Sequence, residues 1–260
     1  MSDIFKNSTS LHSVMPEINH LLQKLNINLH NYAEGFFSID DGQHTFGQRP
    51  QSIPQQFEDE VAQVLEKSKK QGWPEDNVRV LSYDLTASKL RIDTGPATFA
   101  SFITINKKHL PEALQIASNP VYIEEVPVPL LAANATVLTE DDKMIYVKRS
   151  QDVATYKGFY HSGVGGYCRQ SHRYNGEVHP FATYAKELEE ELGYTESTPK
   201  DFHAFSLVRN LDDYHLDLLA EVGLHATSKE LLELKGEDEY ENAGKHSIDF
   251  DLDILTKLRR

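Results

Sequence analysis

Cysteine is nearly missing from this chain: Cys168 is the only one among 260 residues. A single thiol excludes an intrachain disulfide and a paired-cysteine zinc site. Basic residues are also short, with 26 Lys and Arg against 40 Asp and Glu, a net charge of −14 with histidine neutral. That balance argues against non-specific binding to nucleic acid or an anionic membrane, which both demand a basic face. No apolar run approaches the ~20 residues of a membrane-spanning helix. The opening MSDIFKNSTS has neither the basic region nor the apolar stretch of a secretory signal. What is present suffices for a core: 39% hydrophobic residues, with 12 Phe and 12 Tyr, exclude global disorder. The expectation is a soluble cytoplasmic protein that handles a small molecule, built as one large domain or two small ones.

The chain has two textures. Residues 1 to about 75 read as helical and polar. MPEINHLLQKLNI places Ile18, Leu21, Leu22 and Leu25 at amphipathic-helix spacing, and after a break at Pro50 and Pro54 comes a second helix, FEDEVAQVLEKSKKQG. From Val78 the pattern turns to strands, with a hairpin over VRVLSYDLTASKLRIDTG. ATFASFITINK reads better as a helix than as a strand. The prolines of VPVPLL mark a domain boundary, giving an N-terminal α/β domain at 1–128 and a second domain at 129–260. The second domain reads in order as LAANATVL and MIYVKRS around a turn, a glycine-rich loop from Gly158 to Gly166, a helix around FATYAKELEEELG, and the strands FHAFSLVRN and YHLDLLAEV. A short helix, the acidic loop GEDEYEN, a last strand and a terminal helix LDILTKLRR close the chain. Helices alternating with strands indicate an α/β layered domain.

The chemistry concentrates in Ala185–Tyr194. At about 100° per residue, Phe181, Ala185, Leu188 and Leu192 form one apolar stripe. Glu187, Glu190 and Glu191 share another arc, with Glu189 off it. Three carboxylates on one ridge repel one another, and a divalent cation such as Mg²⁺, which prefers hard oxygen ligands, converts repulsion into coordination. A solvated acidic helix face has the same composition. The order of strand, Gly165-Gly166 and then this helix favours the metal.

Lys186-Glu187-Leu188-Glu189-Glu190-Glu191-Leu192-Gly193-Tyr194 resembles the helical half of the Nudix box, with lysine in place of the first arginine, and Gly165-Gly166 matches the glycine pair that opens that family's loop. The resemblance covers residues ~130 to 260. Upstream the pattern departs: the position of the loop glutamate falls on Val178, and the longer connection YCRQSHRYNGEVHP replaces a tight loop. TFASFITIN, LTEDDKMIYVKRSQDVATYKG and Val208-Arg209-Asn210 resemble, in order, blocks of the Nudix enzymes that split UDP-sugars.

The resemblance implies a Nudix α/β/α sandwich with a mixed sheet behind a smaller N-terminal α/β domain. It implies cleavage of a nucleotide-sugar diphosphate, such as UDP-glucose, to UMP and a sugar 1-phosphate, with Mg²⁺ or Mn²⁺ as cofactor. Its metal ligands are Glu187, Glu190, Glu191 and the carbonyl of Gly166. The proton acceptor is Glu190, Glu191 or a carboxylate of the later acidic loop, Glu237, Asp238, Glu239 or Glu241. Arg149 and Arg209, each ending a strand, are the phosphate-binding candidates, Phe99 the base-stacking one, and Gly165 lines the substrate side. The irregular spacing of His161, His172 and His179 points away from zinc. ADP-ribose, another dinucleotide or a coenzyme A derivative remain alternative substrates, as does a Nudix-fold module that binds without hydrolysis.

Overall fold

A computed structural model of the chain describes residues 29–38, 43–85, 90–117, 126–152, 157–196, 199–237 and 242–249. The expected helices at 15–27 and 252–260, and Asp238, Glu239 and Glu241, lie outside the described residues.

The region read as helical up to about residue 75 holds two strands, β1 (Leu29–Ser38) and β2 (Gln43–Phe46), before its helix α1 (Gln55–Gln71). Partners distant in sequence made β1: it pairs antiparallel with residues 203–210. Local periodicity carries no such information. In α1, Phe57 and Val61 are buried, and Gly72 at φ 72° ends it. β3 (Asn77–Leu85) and β4 (Leu90–Ala97) pair antiparallel as expected, and β2 joins β4 in parallel. ATFASFITINK is helical: α2 (Phe99–Phe102) runs into a π-helical segment, Ile103–Lys108, and α3 (Leu110–Ile116) follows.

The second half supplies β5 (Leu131–Leu138), β6 (Lys143–Arg149), β7 (Tyr160–Ser162) and β8 (Val164–Tyr167). Then come the two short strands β9 (Arg173–Tyr174) and β10 (Glu177–Val178). The helix α4 (Pro180–Glu187) continues as a π-helical segment, Leu188–Leu192. β11 (Asp201–Asn210), β12 (Leu216–Gly223), α5 (Ser228–Glu233) and β13 (Asn242–Asp249) complete the described chain.

An eight-stranded mixed sheet orders these strands β1-β11-β12-β5-β6-β13, with β8 on β5 and β7 on β6. Only β12 and β5 run parallel within it; its other pairs are antiparallel. The long connection YCRQSHRYNGEVHP is accounted for by β9 and β10. Asn175 (φ 51°) and Gly176 (φ 85°) turn that two-stranded hairpin, both in the left-handed region a tight Asn-Gly turn requires.

Alternation along β5 sends Leu131, Ala133, Ala135 and Val137 to one face, where they share a core with Tyr184, Leu188 and Leu192. A second core gathers Phe57, Val61, Phe102 and Ile105 with Val128 and Leu130. The fold is α/β with a mixed sheet, α4 covering one face and the α2 segment the other. The proposed boundary near residue 128 is crossed by β1 and by bridges from Asn77 to Arg169 and Arg79 to Leu130. Arg79 is fully buried and fastens the proline-rich turn, donating to the carbonyls of Pro96 (3.0 Å), Pro50 (3.0 Å) and Arg49 (3.2 Å).

Candidate functional site

The glutamate helix begins where His179 Nδ1 accepts a hydrogen bond from the Phe181 N–H at 3.0 Å and Pro180 occupies the first turn. It ends at Gly193, whose φ of 75° and whose closeness to the Lys235 carbonyl leave no room for a Cβ. Between them the winding changes. An α-helical arc held Glu187, Glu190 and Glu191 together; the wider turn from Leu188 alters their phase. Glu187 and Glu191, one turn apart, are buried at 7% exposure each. Glu190 stays at the rim, its side chain 22% exposed, where Lys186 Nζ reaches it at 3.3 Å and Glu189 at 3.1 Å.

Glu187 has a specific seat. A Cβ added to Gly166 would overlap its carboxylate, so the missing side chain lets the carboxylate lie against the β8 backbone. At Gly165, one residue earlier and facing the other way, a Cβ would overlap Asn134 Oδ1 instead. The glycine pair is thus approached from both faces of the sheet, and this is the physical reason for two adjacent glycines here. The acidic loop starts beside the same helix: a Cβ on Gly236 would overlap the carbonyls of Glu190 and Glu191. Lys245 of β13 secures that end, its Nζ donating to the carbonyls of Leu192 (2.8 Å), Leu234 (2.6 Å) and Leu231 (3.4 Å).

The face that carries Asn134 holds a polar network that the motif reading missed. Asn134 Nδ2 donates to Asp217 Oδ1 at 2.6 Å, and His215 Nε2 lies 3.1 Å from Asp217 Oδ2. His215 Nδ1 contacts Asp213, whose other oxygen pairs with Lys107. Burial alone would lower the His215 pKa, but hydrogen bonds to Asp213 and Asp217 and their charges raise it to about 9. Burial would raise Asp213; its bonds to His215 and Lys107 instead hold it at about 2. Asn106 adds hydrogen bonds to the carbonyls of Val128 (2.9 Å) and Asp213 (2.7 Å), tying the π-helical segment to this turn. A signal for the network existed in the sequence: Asp213, His215 and Asp217 alternate, as residues sharing one strand face do.

The substrate-side candidates divide between the two faces. Gly166, Ala133, Leu218 and Leu207 form one cross-strand row, and Arg209 lies two residues from Leu207 on the same face. Three strand spacings put it roughly 14 Å across the sheet from Gly166. It is 2% exposed and stands 5.4 Å from the Tyr214 ring. Arg149 continues the Ile145–Val147 alternation toward the same face and is half-buried. Phe99 belongs with the opposite face: it packs against Tyr167 (5.9 Å), Phe102 (6.0 Å) and Trp73 (6.5 Å). Of the loop histidines, His172 Nδ1 lies 3.0 Å from Thr183 Oγ1 and His179 meets His44 edge-on at 4.2 Å. Cys168 is buried, and burial pushes its thiol up to about 12, where it stays protonated.

For a divalent cation the donor chemistry fits: two buried carboxylates, a third at the rim and the glycine backbone against Glu187 lie on one helix–strand junction. Among the described residues, no three His, Cys, Asp or Glu side chains already converge as a metal cage. No described helix is long and apolar enough to cross a membrane.

The chain matches no protein-family model, and no curated protein is similar to it in sequence. Among solved structures it is similar to DR0079 from Deinococcus radiodurans, at 13% identity over 54% of this chain and 89% of that one, with a TM-score of 0.34. It is also similar to a MutT protein from Methanosarcina mazei Go1, at 18% identity over 45% of this chain and 75% of that one, with a TM-score of 0.32. Likenesses this distant leave function to the residues themselves.

Proposed function

We propose that this chain is a Nudix-type, divalent-metal-dependent hydrolase. It cleaves the diphosphate of a nucleotide derivative, with a UDP-sugar such as UDP-glucose as substrate and UMP and sugar 1-phosphate as products. The observation that carries it is the seat of Glu187, a buried carboxylate on the glutamate helix held against Gly166 of the glycine pair. Glu187, Glu190, Glu191 and the Gly166 backbone would hold Mg²⁺ or Mn²⁺. The cation would neutralise the diphosphate and acidify a bound water. Glu190 or Glu191, or Glu239 of the acidic loop rooted at Gly236, would take the proton. Arg149 and Arg209 would bind phosphate oxygens as permanently charged guanidiniums. Support for the UDP-sugar comes from the order of the sequence blocks around Phe99, Arg149 and Arg209.

The test is Mg²⁺-dependent turnover of UDP-glucose, ADP-ribose and coenzyme A side by side. UDP-glucose is expected to be cleaved fastest, and faster cleavage of either of the others removes the UDP-sugar assignment. One observation favours a second reading, a Nudix-fold module that binds nucleotides without cleaving them: Lys186 reaches both Glu189 and Glu190, and no ready-made cage exists among the described residues. Saturable nucleotide-sugar binding with no product under any divalent metal would decide for it.

A further inference from the structure

At the far corner of the main sheet, register alone brings three rings and an ammonium together. Tyr146 on β6 stands opposite His246 on β13 and Ser162 on β7, with Tyr160 one diagonal step away. Tyr146 stacks on His246 at 5.2 Å and an interplanar angle of 17°. Tyr160 stands edge-on to both, 5.3 Å from Tyr146 and 5.6 Å from His246. Lys148, opposite Tyr160, holds its Nζ 5.6 Å from the Tyr160 ring centre. Its partner on the other side is Gly244, where, among the described residues, a Cβ would meet His246 Nε2 at 3.6 Å, so this strand position puts no side chain beside the rings.

Two properties mark this corner as a place for a ligand. Its Tyr160 ring faces water at 56% exposure, although aromatic rings normally bury most of their area, while Tyr146 and His246 are half-buried. The corner also holds a cation in a chain of −14: Lys148 alternates with Tyr146 onto the ring side of β6, while Lys143, paired with Asp249, and Arg149 belong to the opposite face. A neutral sugar would use the rings but not the ammonium, and inorganic phosphate would use the ammonium but not the rings. A planar base joined to a phosphate uses both.

We propose that this corner is a nucleotide-binding platform, with the base stacked on Tyr160 above Gly244 and a phosphate paired with Lys148. The choice of a nucleotide rests on the function proposed above, but binding here needs no hydrolysis and no metal. UMP titrated into ¹⁵N-labelled full-length protein without added metal is expected to move the Tyr160 and Gly244 amide signals. Tyr160→Ala should weaken UMP binding about tenfold, the scale of one lost base–aromatic stack, and Tyr160→Trp should restore it. Lys148→Gln should weaken UMP several-fold and leave uridine binding unchanged. Equal binding of UMP to the natural chain and to Tyr160→Ala overturns the proposal. So does a concentration-dependent dimer that Tyr160→Ala abolishes, which would make the corner a contact between copies. UDP-glucose turnover measured alongside separates the two ideas. Turnover without a UMP shift at this corner overturns the platform and leaves the hydrolase standing, whereas a shift without turnover does the reverse.

Discussion

Glu187 and Gly166 act as a pair, because the carboxylate occupies space that any side chain on the strand would need. Replacing Glu187 with Gln keeps the shape and removes the charge. Turnover is expected to fall by at least about 100-fold, since a cation supplying several kcal/mol of charge stabilisation loses an anchor, while circular dichroism stays unchanged. Gly166→Ala should push the same carboxylate aside. Its signature is a raised Mg²⁺ requirement, read as the metal concentration for half-maximal turnover. An unchanged requirement would show that Glu187 is not positioned by the glycine. Gly165→Ala meets Asn134 on the other face and should leave that requirement closer to the natural value.

The elements around the site depend on contacts that cross long stretches of chain. Lys245 sits on β13, yet its ammonium serves carbonyls at the ends of α4 and α5. Lys245→Met should cost about 1–3 kcal/mol in urea unfolding, because carbonyls lose a charged donor. A cost near zero would mean that water replaces the lysine. This dependence explains what could be read in advance. The apolar stripe of the glutamate helix was legible from local spacing: Phe181, Leu188 and Leu192 are buried, and Ala185 is half-buried. The strands over FHAFSLVRN and YHLDLLAEV followed from alternation, and β11 and β12 lie there. The π-helical turn at Leu188 was not legible from local spacing; its far end lies against Lys235 and Gly236, more than forty residues later in the chain. Nor was β1, which exists as a strand through its pairing with β11. The β9–β10 hairpin had a local signal, the Asn175-Gly176 pair inside the long connection.

For the molecule as a whole, charge and protonation set the working range. Residues 1–130 hold 11 basic and 16 acidic residues and residues 131–260 hold 15 and 24, so the excess falls more heavily, −9 against −5, on the half with the glutamate helix. Burial and His179 lower His44 to about 3, and burial lowers His179 to about 4. Both imidazoles pick up protons more readily unfolded, so their contribution is full above pH ~6.5 and is lost as pH falls. His215, raised to about 9, behaves oppositely: its contribution is full below ~6.5 and disappears as pH rises through 9. Glu221, raised to about 7 by burial and by Asp201, adds a loss between its ordinary value and 7. Urea unfolding across pH 5 to 9.5 is therefore expected to show greatest stability near pH 6.5. His215→Gln should flatten the alkaline side alone. A stability that keeps rising to pH 9 would show that His215 is not held as an imidazolium.

The most direct measurement of the central claim is a phosphorus NMR time course of UDP-glucose with Mg²⁺, run with the natural chain and with Glu187→Gln. The expected result is Mg²⁺-dependent conversion of the diphosphate signals to UMP and glucose 1-phosphate, abolished by chelator and slowed at least about 100-fold in the folded variant. Undiminished conversion by Glu187→Gln, or an intact diphosphate with the natural chain, would contradict it.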